Sequence, residues 1–271
     1  MKIWAHTLVK NEERYLWFAV MSIIEYVDKI LIWDTGSTDR TLQIIKEIKK
    51  IYPDKVEVKE WGDVNSNQIT VLRQKMLTTT KADWFIVVDG DEVWWEDKIK
   101  TYRKIIEEKN KTLKLIVSGY YNLVGDIFHY QDENAGKYKI GKLKGHLNIR
   151  ATSLSIPGLK FKNSYPLEGL YDHKSNLIQT DLTNKSLFVK KSYLHFTHLP
   201  RSLKTDEDAL GGKNKRKYEL GREFPYNFYY PEVLFKKRPS YVPCPWTVRD
   251  IKYSINAAFQ TPFKYLKRKY S

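Results

Sequence analysis

Over residues 1–125 the apolar positions alternate between two periods, and the alternation predicts the fold class. Lys2–Val9 is a β-rich run that ends at Lys10-Asn11. Leu16, Ala19, Val20, Ile23, Ile24 and Val27 then recur at three and four, the spacing of one buried helical stripe, with Asn11 available as its cap. Lys29–Trp33 predicts a second strand, running into the turn Asp34-Thr35-Gly36-Ser37-Thr38-Asp39 and a helix marked by Leu42, Ile45, Ile48 and Ile51 that stops at Pro53. Lys55–Trp61 predicts a third strand and Gln68–Thr80 a third helix. The uninterrupted apolar run Trp84–Val88 predicts a fully buried strand, followed by a charged helix over about 96–109 and a strand over Leu113–Val117. Strands alternating with helices predict an α/β fold, with a mostly parallel sheet flanked by helices. In such sheets ligands bind at the carboxyl ends of the strands, where Asp34 and Asp89 fall.

Beyond residue 125 the pattern becomes irregular, with Gly, Tyr, Lys and short β-like runs such as Leu187–Phe196. The chain therefore divides into residues 1–125, an irregular second half of the same domain over 126–205, and a basic segment with an amphipathic extension over 206–271. Lys204–Gly221 is polar and basic around Gly211-Gly212, which predicts a mobile segment.

Composition narrows the classes. The 271 residues include 8 Trp, 19 Tyr and 11 Phe, enough to build a core and too apolar for a disordered chain. Cys244 is the single cysteine, so the chain forms no internal disulfide and no multi-cysteine metal site. The longest apolar run, Tyr15–Met21, is far short of the about 20 residues that span a bilayer. Charges at Lys10–Arg14 leave no room for a signal-peptide apolar region, so the expected setting is cytoplasmic. Net charge is +15, but residues 1–130 carry 20 basic and 20 acidic side chains and so balance; the whole excess lies in the second half, which is expected to meet an anionic partner.

The sharpest chemical signal is Asp89-Gly90-Asp91 at the end of an apolar strand, where two carboxylates in a tight turn can converge on one hard cation. With Leu8-Val-Lys-Asn-Glu-Glu-Arg-Tyr-Leu16, Asp34-Thr-Gly-Ser-Thr-Asp-Arg-Thr41 and Asp83-Trp-Phe-Ile-Val-Val-Asp-Gly-Asp-Glu92 in that order, the chain resembles glycosyltransferase family 2, of the GT-A fold, over roughly residues 2–95. The resemblance implies a nucleotide-sugar glycosyltransferase using Mn or Mg. Asp34 would contact the nucleotide base, Asp89 would lie near ribose and metal, Asp91 would bind the metal on the diphosphate, and Arg73 matches the family's arginine in the preceding helix. By family habit the donor is a UDP- or GDP-sugar, and the acceptor a glycan, lipid-linked or protein hydroxyl attacked with inversion.

An inverting attack needs a carboxylate base from the second half. Glu168, in Tyr165-Pro-Leu-Glu-Gly-Leu-Tyr-Asp-His173, is preferred and Asp172 is the second choice. His195 and His198 are candidate metal ligands; three residues apart on a strand they would face opposite sides, which favours one of them, His195. Arg201 and the run Lys213-Asn-Lys-Arg-Lys217 are candidates to close over the diphosphate.

From Trp246 onward aromatic and basic residues interleave, a composition that fits either an anionic membrane surface or a helix packed on the domain. The alternative from another class is a nucleic-acid-binding protein using the basic second half. Carboxylates at Asp34, Asp89 and Asp91 would repel a polyanion and argue against it. A sugar nucleotidyltransferase ranks lower, because Thr7–Glu13 lacks the glycine-rich loop that such enzymes carry after the first strand.

Overall fold

The computed structural model describes residues 1–203 and 217–270. Strands β1 (Ile3–Val9), β2 (Lys29–Asp34), β3 (Val56–Glu60) and β4 (Trp84–Val87) alternate with helices α1 (Leu16–Met21), α2 (Thr41–Ile51) and α3 (Ser66–Thr79). The short strand β5 (Glu92–Trp94), helix α4 (Glu96–Lys109) and the long strand β6 (Leu115–Val124) complete the first half. The second half adds β7 (Asp126–Tyr130), β8 (Tyr138–Ile140), β9 (Leu143–Gly145), β10 (Leu147–Ser153), β11 (Lys160–Lys162), β12 (Gly169–Tyr171), α5 (Ile178–Asp181), β13 (Ser186–His195), β14 (Arg222–Glu223) and α6 (Ile251–Lys269).

The main sheet runs β14-β7-β6-β10-β4-β1-β2-β3, with β3, β2, β1 and β4 mutually parallel and β10 inserted antiparallel between β4 and β6. Strand β13 lies parallel to β6 and its last three residues pair antiparallel with β5. The second half is thus woven into the sheet of the first. This is the expected mixed α/β architecture.

Alternation along β1 and β2 feeds one apolar cluster on each face of the sheet. Ile3, Ala5, Val9, Ile30 and Ile32 pack with residues of α1, α2 and α4, while Leu8, Leu31 and Trp33 point to the other face against Ile69, Leu72 and Met76 of α3. Helix α3 starts on a reciprocal capping box between Asn65 and Gln68. Three local readings change. Asn11 does not cap α1, which begins five residues later; it adopts φ 53° and its Oδ1 accepts from Thr38 N at 2.8 Å, joining the loops after β1 and β2. The buried stripe of α2 is Thr41, Ile44, Ile45 and Ile48, with Ile51 exposed at its end. Strand β6 extends to Val124, because β10, β13 and β7 supply partners along its length.

Candidate functional site

The loops after β1, β2 and β4 meet at the carboxyl end of the parallel strands, the crevice that the sheet topology creates. Asp34 ends β2 opposite Val9 and is buried. Its Oδ2 accepts from the backbone N–H groups of Gly36 and Ser37, at 2.9 and 3.0 Å, while Oδ1 is buried without a partner. A buried acceptor left open suits a ligand N–H. Gly36 holds this loop at φ +90°, with the Asp63 backbone packed against it.

Asp89 and Asp91 follow β4 in a turn that closes through Glu92 N donating to Asp89 O at 3.1 Å. A Cβ at Gly90 would lie 3.0 Å from Glu12 Cγ and Val9 Cγ1, so the glycine lets the loop after β1 close over the acids. Asp89 is partly exposed; Arg150 Nη2 lies 3.2 Å from its Oδ2 and Arg73 Nη2 lies 3.6 Å from its Oδ1. Desolvation pushes its carboxyl up, but the two guanidiniums outweigh this and hold it below the usual carboxylate range. Asp91 is buried, and the β5–β13 pairing brings His195 to it, with Nε2 3.4 Å from Asp91 Oδ1. Arg201 Nη1 is 3.6 Å from Asp91 Oδ2 and 2.5 Å from Glu12 Oε1. Burial, reinforced by Asp91, pushes the Glu12 carboxyl up to about 8 in spite of Arg201.

Glu168 comes into this cluster through α3. Arg73 Nε lies 3.6 Å from Glu168 Oε1, so one guanidinium spans Glu168 and Asp89, and Glu168 Oε2 is buried with no partner. Asp172, the second choice, closes the turn after β12: its Oδ1 accepts from the N–H groups of Lys174 and Asn176 at 2.9 Å each. His198 is buried in the turn beyond β13, which ends at His195, so the two histidines do not share a strand. Gly211-Gly212 and Lys213–Arg216 lie outside the described residues.

The sequence reading missed Glu12, Glu92, Arg150 and Tyr193. Glu92 is fully buried and hydrogen-bonded to Arg150, whose Nε donates to Tyr193 Oη at 3.0 Å. Glu12 and Glu92 stand inside the motifs that drew attention to their neighbours. Arg150 offered one signal, a lone cation in the middle of an otherwise uncharged strand.

The Asp91–His195 pair offers a carboxylate oxygen and an imidazole nitrogen at one point, a donor set that suits a divalent transition metal such as Mn better than Mg, which takes oxygen ligands. Among the described residues no three His, Cys, Asp or Glu side chains gather in ligating geometry.

Comparison with known proteins gives the same answer as the topology. The Staphylococcus aureus protein TarS is similar in structure, with a TM-score of 0.51 and 15% identity, covering 72% of this chain and 36% of TarS. TarS 1–349 in complex with UDP-GlcNAc gives a TM-score of 0.49 at 16% identity, covering 72% of this chain and 58% of that one. A TPR repeat-containing protein of Synechococcus elongatus is 30% identical over 87 residues, 31% of this chain and 19% of the relative. The chain thus spans about a fifth of that relative and about a third of TarS. The glycosyl transferase family 2 model matches residues 6–163, more than half of the sequence, and the chain belongs to that family.

Proposed function

We propose that the chain is a metal-dependent transferase that moves a sugar from a nucleoside diphosphate to an acceptor hydroxyl with inversion. The observation that carries this reading is the junction of Asp89, Asp91, His195 and Glu168 at the crevice, with Arg73 spanning Asp89 and Glu168. Membership of the family supports the reaction class.

In this reading the open Oδ1 of Asp34 accepts from an N–H of the base, and uracil or guanine both offer one. Asp89, kept ionised by Arg150 and Arg73, orients the ribose. Asp91 and His195 would hold Mn or Mg, which offsets the negative charge of the departing diphosphate. Arg201, anchored on Glu12, adds a fixed cation on the same side. Glu168 Oε2 takes the proton from the acceptor hydroxyl as its oxygen bonds to the anomeric carbon and the bond to the diphosphate breaks. Arg73 holds the other oxygen of Glu168, fixing the base relative to Asp89. The acceptor is a hydroxyl on a glycan, a lipid-linked sugar or a protein.

The test is thermal stabilisation by a panel of nucleoside diphosphates and their sugars, with and without Mn, beside Asp91→Ala. The expected result is a Mn-dependent rise in Tm with one diphosphate, lost in the variant. No shift with any nucleotide, beside tight and salt-sensitive binding to DNA or RNA, would overturn the reading.

A further inference from the structure

Helix α6 carries its polarity inside out. Its inward face meets the domain mostly through polar groups: Tyr253 Oη donates to the Lys217 carbonyl at 2.5 Å and accepts from Glu219 N–H at 3.2 Å, Lys264 Nζ donates to Tyr218 O at 2.7 Å, and Arg268 forms a fork on Glu219 at 2.6 and 2.7 Å. Thr261 Oγ1 accepts from Leu220 N at 2.9 Å, and Tyr253 and Ala257 are the buried members. Gly125 permits the close approach, since a Cβ there would fall 2.6 Å from Tyr253 Cε1.

The outward face is apolar. Ile251, Ile255, Phe259, Phe263, Leu266 and Tyr270 follow one another at three and four residues, a continuous stripe, and each is between 51% and 81% exposed. A helix that serves only to complete a water-soluble domain turns such a stripe inward. Exposed and contiguous, it marks a surface that meets a partner.

Charge selects the partner. Residues 251–270 contain five Lys or Arg and no Asp or Glu, and Lys252, Lys267 and Lys269 are exposed around the stripe. A second copy would bring an equally basic helix against this one. An anionic bilayer instead takes the apolar side chains below the headgroups and the lysines among the phosphates. The helix would lie on the surface, since among the described residues no helix is long and apolar enough to cross a membrane.

We propose that the outward face of α6 docks the protein on an anionic phospholipid surface through Ile255, Phe259, Phe263 and Leu266, with Lys252, Lys267 and Lys269 at the headgroups. This surface is independent of the transferase reading. The experiment is co-sedimentation of the full chain with vesicles of mixed phosphatidylglycerol and phosphatidylcholine, against phosphatidylcholine alone, using wild type and Phe259→Ser/Phe263→Ser. Both positions are exposed, so the variant is expected to keep the wild-type circular dichroism and Tm in vesicle-free buffer. Wild type should bind the mixed vesicles in a salt-sensitive way and phosphatidylcholine weakly, with affinity for the mixed vesicles falling about tenfold or more in the variant. Absence of binding to mixed vesicles, or equal binding by the variant, would overturn the proposal. So would a wild-type dimer in light scattering that the double variant dissolves, which assigns the face to a second copy.

Discussion

Arg150 and Glu92 form a hydrogen-bonded ion pair beneath the crevice, on β10 and at the first residue of β5, and the same guanidinium lies 3.2 Å from Asp89. Desolvation pushes the Glu92 carboxyl well up, and the pull of Arg150 offsets this only in part. Arg150→Met leaves a buried acid without its cation and is expected to lower unfolding free energy by about 3–5 kcal/mol in urea titrations. Adding Glu92→Gln should recover part of that loss, since neither charge is then stranded. If the double variant proves as unstable as the single, the pair is not the source of the stability.

The catalytic assignment separates two nearby acids. Glu168→Gln keeps the contact with Arg73 in shape while removing the proposed base, and kcat is expected to fall about 10²–10⁴-fold with donor KM little changed. Asp172→Ala removes the acceptor of two backbone N–H groups, costing about 1–2 kcal/mol of stability and leaving kcat near wild type. Equal kcat for Glu168→Gln and wild type would reject Glu168 as the base.

His6 makes stability depend on pH. It is buried in β1, stacked on Phe85 with ring centroids 4.8 Å apart, and its Nε2 lies 2.6 Å from Thr80 Oγ1. Desolvation first, and then Arg73, depress its pKa to about 3. Below the ordinary value near 6.5 the unfolded chain binds a proton that the folded chain refuses. Stability contributed by the neutral ring is therefore present above that value and lost as pH falls toward 3. His6→Gln, neutral throughout, should flatten the decline of Tm between about pH 6.5 and 4; an unchanged decline would place its origin elsewhere.

Gly36 tests the nucleotide side. At φ +90°, an added Cβ would also stand 2.8 Å from the Asp63 backbone, so Gly36→Ala is expected to cost about 1–3 kcal/mol. Because Gly36 N–H is one of two donors that orient Asp34, donor KM should rise more than kcat falls. A variant with wild-type KM would show that the loop does not position the donor.

The periodicity of residues 1–125 was enough for the α/β class, the strand order in the chain and the acids at the strand ends, because each of those features is local. Val9, Asp34 and Asp89 reach the crevice through parallel pairing of strands whose apolar runs are visible one by one. The neighbour of Asp91 was not visible in that way. Which histidine approaches it depends on three residues of β13 pairing with β5 across about a hundred positions of sequence, and on the strand ending at His195.

Tertiary structure alone also decided the electrostatics. Asp89 is held ionised by an arginine from α3 and another from β10, while Glu12 is pushed up by burial and by Asp91, a partner from another loop. No spacing encodes these relationships, since each depends on which side chains share a desolvated volume. Helix α6 shows the same division: residue order supplies the amphipathic pattern, but only docking through Tyr253, Lys264 and Arg268 determines that the apolar stripe faces outward. A helical pattern sets which residues lie on one face; the polar groups available on the domain decide which face is turned to it.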